Sequence, residues 1–278
     1  MTDVQIYKMS GAGNDFVVLD GRGVDMSEFR RVERIRELCA EFRTDGLMIL
    51  DDAGAAEGPA GRVPDFRMEF YNPDGSGGMM CGNGGRCIVA FADWLGVKAS
   101  APDHYVFLAP DGLHSATIVA RPTNGRMGPA ESDQWTVRLG MIDVDGVREM
   151  LGGYFLNTGT RHFVKFVEDV DAVDIEKEGK ELRWNEAFAP EGANVNFVQR
   201  CDAYLKIRTF EKGVEGETLA CGTGITASAI VAYSGPQKSA SIRLQARRGD
   251  WLEVDFEKVG PESFRNIHLT GPAEFCKI

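Results

Sequence analysis

Short runs of apolar residues, separated by glycine-rich turns, predict a chain made mainly of strands with a few helices. The segments QIYKM (5–9) and FVVLD (16–20) predict two strands around the turn SGAGND (10–15). Residues 26–42 carry apolar side chains at helical spacing near a serine, which predicts a helix. Further strands are predicted at 47–52 and 66–72, an exposed loop at 53–64 and a turn at 73–78.

The second half of the chain repeats the order of elements found in the first half. In each half a strand and a turn lead to the quartet Cys-Gly-polar-Gly, and an apolar helix follows. The quartets begin at Cys81 and Cys221, which lie 140 residues apart in a chain of 278. This near-halving of the length indicates an internal duplication. The second-half elements are the strand 204–211, the turn 212–217 and the helix 225–235, and the first-half helix is 86–96.

The duplication predicts an α+β fold with two pseudo-symmetric domains, each a mixed β-sheet or barrel wrapped around a central helix. The polar segment 121–133, which contains proline and glycine in mid-chain, is the predicted boundary. The domains are therefore predicted at 1–131 and 132–265. Because the two quartets occupy equivalent places, we expect a single site in the cleft between the domains.

The overall charge argues against a protein that binds nucleic acid or an anionic membrane. The net charge is −11 at pH 7, whereas both kinds of partner require basic patches. The N-terminus lacks a basic segment followed by an apolar run, and no run of 18 apolar residues occurs. The sequence therefore predicts a cytoplasmic protein that acts on a small molecule.

The six cysteines are predicted to be thiols instead of disulfides or metal ligands. A cytoplasmic chain of this length does not usually rely on a disulfide framework. The spacing of Cys81 and Cys87 does not fit zinc, and histidine occurs only four times. We therefore predict that the protein holds no metal. Packing roles are predicted for Cys39, Cys87, Cys201 and Cys276.

Cys81 and Cys221 are the candidates for chemistry because each precedes a glycine-rich helix start. Amides at a helix N-terminus can bind a carboxylate, and the helix dipole lowers the pKa of a thiol placed there. Glycine also lets a substrate approach the backbone closely. If two such helix starts face one substrate, one thiolate can remove an α-proton while the other thiol returns a proton to the opposite face. The pattern therefore predicts a racemase or epimerase that needs no cofactor.

Four motifs resemble the diaminopimelate epimerase family and occur in that family's order. They are KMSGAGNDFVVLD, FYNPDGSGGMMCGNGGRC, PEGANVNF and EKGVEGETLACGTG. The resemblance implies a cofactor-independent homodimer that interconverts LL- and meso-diaminopimelate for lysine and peptidoglycan-precursor biosynthesis. It also implies that the C-terminal strand, 266–278, returns to the first domain.

The resemblance implies roles for individual residues as well. Cys81 and Cys221 look like the two proton-transfer thiols. The backbone amides that hold the reacting carboxylate are implied at Gly82, Asn83, Gly222 and Thr223. Further substrate contacts are implied at Asn14, Asn72, Asn194 and Glu211, of which Glu211 pairs with the distal amino group.

This sequence departs from the family pattern where the distal end of the substrate would bind. Lys212 stands where the family usually has arginine, Thr160 stands in place of an expected asparagine, and Gly46 replaces a glutamine. A lysine cannot reproduce the bidentate hydrogen bonding of an arginine to a carboxylate. We therefore hypothesise that Arg161 supplies the missing guanidinium. The adjacent His162 either tunes the electrostatics of the site or packs.

Several alternatives remain open from the residues alone. The departures above allow a related cofactor-independent racemase of another amino acid. The segment GTGITA (222–227) fits the loose dinucleotide pattern of an NAD-binding oxidoreductase, although no acidic residue ends a strand about twenty residues on. A non-catalytic relative would keep the fold, but it need not keep both thiols. Two thiols that share a site can also oxidise to a disulfide, which would inactivate an enzyme of this kind.

Overall fold

The chain divides into two units in a computed structural model. Unit 1 contains Met1–Leu139 together with Gly271–Ile278, and unit 2 contains Gly140–Thr270. The described residues are 4–54, 63–78, 80–122 and 134–277.

Unit 1 consists mainly of strands. These are β1 (Ile6–Gly11), β2 (Asn14–Asp20), β3 (Gly46–Asp51), β4 (Phe66–Tyr71), β5 (His104–Ala109), β6 (Gly112–Ala120), β7 (Gln134–Gly140) and the last part of β17 (Ser263–Phe275). Its helices are α1 (Val32–Phe42), which follows a 3-10 turn at Glu28–Arg30, and α2 (Gly82–Trp94).

The strands of unit 1 close a ring around α2. Pairing runs from β1 through β2, β3, β4, β5, β6 and β7 to the end of β17, which pairs back onto β1. Every residue of α2 from Gly82 to Asp93 is buried, so the helix is the centre of this unit. Phe275 of β17 packs against Phe91 of α2 and Tyr7 of β1, with ring centroids 6.3 and 6.1 Å apart.

Unit 2 is built in a similar way around α4. Its strands are β8 (Val144–Asp145), β9 (Arg148–Met150), β10 (Gly153–Asn157), β11 (Arg161–Val167), β12 (Asn194–Arg200), β13 (Leu205–Glu211), β14 (Gly216–Thr218), β15 (Ser239–Gln245), β16 (Trp251–Lys258) and the first part of β17. Its helices are α3 (Lys180–Arg183), which continues a π-helical turn at Ile175–Gly179, and α4 (Gly222–Ala232), and a 3-10 turn covers Glu186–Phe188.

The sheet of unit 2 mixes parallel and antiparallel pairs. β11 pairs in parallel with β12, and β13 pairs in parallel with β15. The pairs β12–β13, β15–β16 and β16–β17 are antiparallel. α4 is buried over most of its length and contacts β11, β12, β13, β15 and β16. A cluster of buried aromatic residues joins β10, β11, β12, β13 and the 3-10 turn; it includes Phe155, Phe163, Phe188, Phe197 and Phe210.

The predicted fold class is confirmed, since each unit is a mixed sheet wrapped around one buried helix. Two helices begin earlier than predicted: α2 starts at Gly82 and α4 at Gly222, directly after the cysteines. The prediction of a continuous helix over 26–42 is wrong, because Arg31 is extended (φ −74°, ψ 135°) and separates a 3-10 turn from α1.

The predicted domain limits remain a prediction. The boundary segment 121–133 lies outside the described residues except for its first two positions, and so does the stretch 55–62 of the predicted loop. None of the helices in the described ranges is long and apolar enough to cross a membrane.

Candidate active site

Cys81 occupies the N-cap position of α2. Its backbone is extended (φ −102°, ψ 144°), and its Sγ accepts a hydrogen bond from the amide of Gly84 at 3.2 Å. Gly82 and Asn83 form the first turn, at the positive end of the helix dipole. An added Cβ at Gly84 would lie 3.1 Å from Sδ of Met48, so the helix start is closely packed. The half-buried thiol therefore lies beside the amides that were predicted to hold a carboxylate.

A fully buried arginine organises this helix start. Arg86 donates from Nη2 to Oδ1 of Asn83 at 2.9 Å, from Nη1 to the Gly82 carbonyl at 3.1 Å and from Nε to the Pro272 carbonyl at 3.2 Å. Asn83 in turn donates from Nδ2 to Oδ1 of Asn14. Because charged donors make strong hydrogen bonds, Arg86 fixes the orientation of Asn83 and brings two predicted asparagines into contact.

Asn72 lies in the turn that follows β4. Its Nδ2 donates to Oγ of Ser76 at 3.0 Å, and its backbone N–H donates to the Ser76 carbonyl at 2.9 Å. Asp74 accepts hydrogen bonds from the amide and the hydroxyl of Ser76 at 2.9 and 2.6 Å. Asn72 thus stabilises this turn, and its contact with substrate stays a prediction.

Cys221 occupies the corresponding N-cap position of α4 in unit 2. Its backbone is again extended (φ −114°, ψ 108°), and Gly222 and Thr223 form the first turn. The Sγ of Cys221 lies 3.5 Å from the hydroxyl of Thr223. The carbonyl of Thr223 accepts a hydrogen bond from the hydroxyl of Thr158 at 2.8 Å. The two cysteines therefore occupy the same backbone position in their helices. The sulfur of Cys81 contacts the backbone amide of Gly84, whereas the sulfur of Cys221 contacts the side-chain hydroxyl of Thr223.

His162 connects the start of α4 to the interior of unit 2. Its Nε2 lies 2.9 Å from the hydroxyls of both Thr160 and Thr223. Its Nδ1 lies 3.1 Å from Nδ2 of Asn196, whose Oδ1 accepts a hydrogen bond from Thr209 at 3.0 Å. This network assigns the proton of the neutral imidazole to Nε2, which donates toward the threonine hydroxyls. His162 is thus fully buried and also bonded to a residue of the helix start.

Asn194 joins three other residues that the sequence predicted for the site. Its Oδ1 accepts a hydrogen bond from the backbone N–H of Lys212 at 2.8 Å. Its Nδ2 donates to Oγ1 of Thr160 and to the carbonyl of Arg161, both at 3.2 Å. These four residues, all predicted for the site, therefore form one hydrogen-bonded group in unit 2.

The charged side chains predicted for the distal end of the substrate are engaged within unit 2. Arg161 pairs with the carboxylate of Glu191, and its guanidinium lies 5.2 Å from the centre of the Phe155 ring. Oε2 of Glu211 accepts a hydrogen bond from the hydroxyl of Thr218 at 2.8 Å. A substrate carboxylate would have to compete with Glu191 for Arg161, and the hypothesis about this residue stays a prediction.

Neutral His162 predicts a loss of stability in mild acid. Burial lowers its pKa to about 3 in the folded protein, whereas the usual value is near 6.5. Below about pH 6.5 only the unfolded chain binds this proton, so folding becomes less favourable as the pH falls toward 3. Between pH 7 and pH 5 this group should cost about 2 kcal/mol of unfolding free energy. Urea unfolding measures the free energy of unfolding at both pH values. Between pH 7 and pH 5 the parent should lose about 2 kcal/mol more than His162→Gln, and an equal loss in the two proteins would contradict the prediction.

Three residues that support the site were not predicted from the sequence. Arg86 orients Asn83, and Asn196 with Thr209 orients His162. Asn196 follows Asn194 by two positions in β12, so both side chains leave the same face of the strand. That spacing was the available signal for Asn196. Arg86 is a single arginine in an apolar segment, and nothing in the sequence pattern marked it as part of the site.

The described residues contain no group of three or more His, Cys, Asp or Glu side chains arranged to hold a metal ion.

The dinucleotide pattern at 222–227 lacks its structural context. The strand before α4, β14, is antiparallel to β13, whereas the strand after it, β15, is parallel to β13. A dinucleotide site requires two parallel strands joined by the helix.

The fold is shared with a class of solved structures that includes an amino-acid epimerase. A Bacillus anthracis protein described as a phenazine biosynthesis protein of the PhzF family matches 99% of this chain and 96% of its own, with a TM-score of 0.72 and 14% identity. A hydroxyproline epimerase from Agrobacterium vitis matches 97% of this chain and 88% of its own, with a TM-score of 0.62 and 15% identity. At these identities the likeness establishes the fold alone.

Sequence similarity is more specific. The family model described as diaminopimelate epimerase matches residues 6–130 and 154–276. A relative from Flavobacterium psychrophilum with the name diaminopimelate epimerase is 38% identical over 277 residues, which covers 98% of both chains. The chain therefore belongs to the diaminopimelate epimerase family.

Proposed function

We propose that this protein interconverts LL-diaminopimelate and meso-diaminopimelate by proton transfer between the substrate and two thiols. Family membership supports the choice of substrate. The observation that carries the mechanism is that Cys81 and Cys221 each cap a buried helix whose first turn begins with glycine. Such a helix start suits a carboxylate, and a cysteine beside it is suited to act on the adjacent carbon.

In the proposed reaction, one thiolate removes the α-proton and the electrons of the C–H bond remain on the α-carbon and its carboxylate. Amides of Gly82, Asn83, Gly222 and Thr223 stabilise the negative charge that develops there. The other thiol then gives its proton to the opposite face of the carbon and becomes a thiolate. After one turnover the first sulfur carries the proton and the second is the thiolate, which is the state that the reverse reaction needs. Exchange of protons with solvent restores the starting state for another forward turnover.

The hydrogen-bond donors near each sulfur support the thiolate forms. The Gly84 amide lies 3.2 Å from Sγ of Cys81, and the Thr223 hydroxyl lies 3.5 Å from Sγ of Cys221. Because Nε2–H of His162 donates toward Thr223, the hydroxyl hydrogen of Thr223 can point at the sulfur.

Turnover of LL-diaminopimelate by the reduced protein tests the proposed substrate. We expect meso-diaminopimelate to accumulate to equilibrium, measured by chiral chromatography. Absence of meso product, together with racemisation of another amino acid in a parallel screen, would instead support the alternative of a related racemase.

Arg161→Ala tests the hypothesis that Arg161 contacts the distal carboxylate. We expect the KM for diaminopimelate to rise about tenfold with little change in kcat, because only binding is lost. Arg148→Ala is the matched control, since the Arg148 guanidinium also stacks on Phe155, at 4.9 Å, and has no predicted role in binding. An unchanged KM in Arg161→Ala, or an equal rise in both variants, would rule the hypothesis out.

We also propose that the enzyme acts as a homodimer in the cytoplasm and serves lysine and peptidoglycan-precursor biosynthesis. The family resemblance supports the homodimer and the biosynthetic role. Light scattering of the purified protein should give a mass near twice that of the 30.5 kDa chain, and a monomer mass would contradict the dimer.

A further inference from the structure

The turn between β13 and β14 begins with Lys212, which stands where the family usually has arginine, and it directly follows Glu211, which is predicted to pair with the distal amino group. The turn is tight, since the N–H of Glu215 donates to the Glu211 carbonyl at 2.8 Å. Gly213 and Glu215 both have positive φ, +93° and +57°. The left-handed conformation is unfavourable for a residue such as Glu215, so neighbouring contacts must stabilise it.

The carboxylate of Glu215 makes these contacts. Its Oε1 accepts hydrogen bonds from the amide of Gly213 at 3.1 Å and from Nη2 of Arg183 at 3.2 Å. The first contact closes the turn on itself. The second ties the turn to α3, which lies about thirty residues earlier in the chain.

Arg183 is built into the unit as a fixed anchor. Its side chain is only 4% exposed, Nη1 donates to the Glu191 carbonyl at 3.3 Å, and the guanidinium lies 4.0 Å from the centre of the Trp184 ring. Gly192 leaves the space that this arrangement needs, because a Cβ at that position would lie 1.6 Å from Nη1 of Arg183. Arg183 therefore joins the turn to the segment that enters β12 at Asn194.

Lys212 is fixed from the other side. Its backbone N–H donates to Asn194 at 2.8 Å, while its side chain is exposed. A lysine meets a carboxylate as a single point charge on a flexible stem. Because the stem does not fix the charge, the position of the backbone decides which region the charge can reach. The turn is thus held at Lys212 by Asn194 and at Glu215 by Arg183.

We propose that Arg183 and Glu215 are positioning residues for substrate specificity: their ion pair holds the turn so that Lys212 adds a positive charge near the distal carboxylate, which Arg161 is hypothesised to bind through its guanidinium. The proposal rests on the proposed function, because it assumes a substrate with a second carboxylate. Neither residue belongs to a cysteine-capped helix start, so the pair acts on binding of the distal end and leaves proton transfer unchanged.

Steady-state kinetics with LL-diaminopimelate test this proposal in the full chain. We expect Glu215→Ala to raise KM at least about tenfold with kcat within threefold of the parent. Glu215→Gln keeps an oxygen acceptor for both donors, so its KM should rise less. Glu217→Gln is the matched control: Glu217 pairs with Arg208 in the same hairpin at 2.7 Å but has no contact with the turn amide of Gly213.

Amide hydrogen exchange of the peptide 211–218 gives a readout that needs no turnover. Glu215→Ala should speed exchange at Lys212 and Gly213 at least about tenfold, and Glu217→Gln should not. Unchanged exchange, or a rise in KM as large in the control, would overturn the proposal. If Glu215→Ala does not fold, Glu215→Gly removes the same carboxylate and suits the positive φ of +57° at this position; parental KM and exchange in that variant would overturn the proposal as well. An inactive parent would refute the proposed function instead, while exchange still tests the ion pair.

Discussion

Alanine at Cys81 or at Cys221 should lower kcat for diaminopimelate at least about 10³-fold, with each single variant folded. A positioned general acid or base contributes about 10²–10⁴-fold, and the proposed cycle uses both thiols in every turnover. The loss should be similar in the two directions, because each thiol serves as base in one direction and as acid in the other. Initial rates from both isomers, followed by chiral chromatography, measure the effect.

Cys87→Ala is the matched control for these variants. Cys87 lies in α2 as well, but it is fully buried, and burial raises its pKa well above the usual value. Its removal should cost about 1 kcal/mol of stability and leave kcat within a few-fold of the parent. A Cys81→Ala or Cys221→Ala enzyme that keeps more than a tenth of parental activity would contradict the assignment of that thiol.

Gly224→Ala should destabilise the protein by about 2 kcal/mol or more, even though alanine favours a helix by about 1 kcal/mol over glycine. The added Cβ would lie 2.3 Å from Oδ1 of Asn196 and 3.3 Å from Cε1 of His162. Asn196 cannot move freely, because it is buried and hydrogen-bonded to Thr209 and His162. Displacement of this network should also shift Thr223 and reduce kcat.

Chemical unfolding and steady-state kinetics measure both effects of Gly224→Ala. Gly77→Ala is the control, since no heavy atom beyond its chain neighbours lies within 4 Å of the Cβ position there. We expect that control to change stability by less than about 0.5 kcal/mol. Parental stability and kcat in Gly224→Ala would show that α4 tolerates a shift against Asn196, and would weaken the role given to His162.

The strands and the two central helices could be predicted because their apolar patterns are long and regular. The run 16–20 became β2 and the run 47–52 became β3, each within one or two residues. The starts of α2 and α4 were missed because glycine-rich segments favour turns in isolation. In the folded unit, burial of every residue in the first turn of α2 outweighs that local preference. Arg31 breaks the predicted helix at 26–42, and nothing in the pattern of apolar residues marks that break.

The sequence predicted only those residues of the candidate site that lie within the recognised motifs. The recurrence of the cysteine quartet identified Cys81 and Cys221 as candidates without any structure, although the helices were predicted to begin three or four residues after the positions at which they start. The residues that orient the site were harder to find, because their partners lie far away in sequence. Arg86 bonds the carbonyl of Pro272, and Arg183 bonds Glu215, and neither contact has a local sequence signature. Tertiary contacts of this kind require the fold.

Isotope transfer in D₂O tests the two-thiol account most directly. Reduced protein is mixed with LL-diaminopimelate, and early product and remaining substrate are analysed by NMR and mass spectrometry. The two-thiol mechanism predicts meso product that carries one solvent deuterium, at the inverted carbon only, while the remaining LL isomer keeps its α-hydrogen at first. The reason is that the thiol that donates has exchanged with solvent and is not the one that removed the proton. Meso product that retains the original α-hydrogen would show that a single base carries the proton between faces, and would contradict the account.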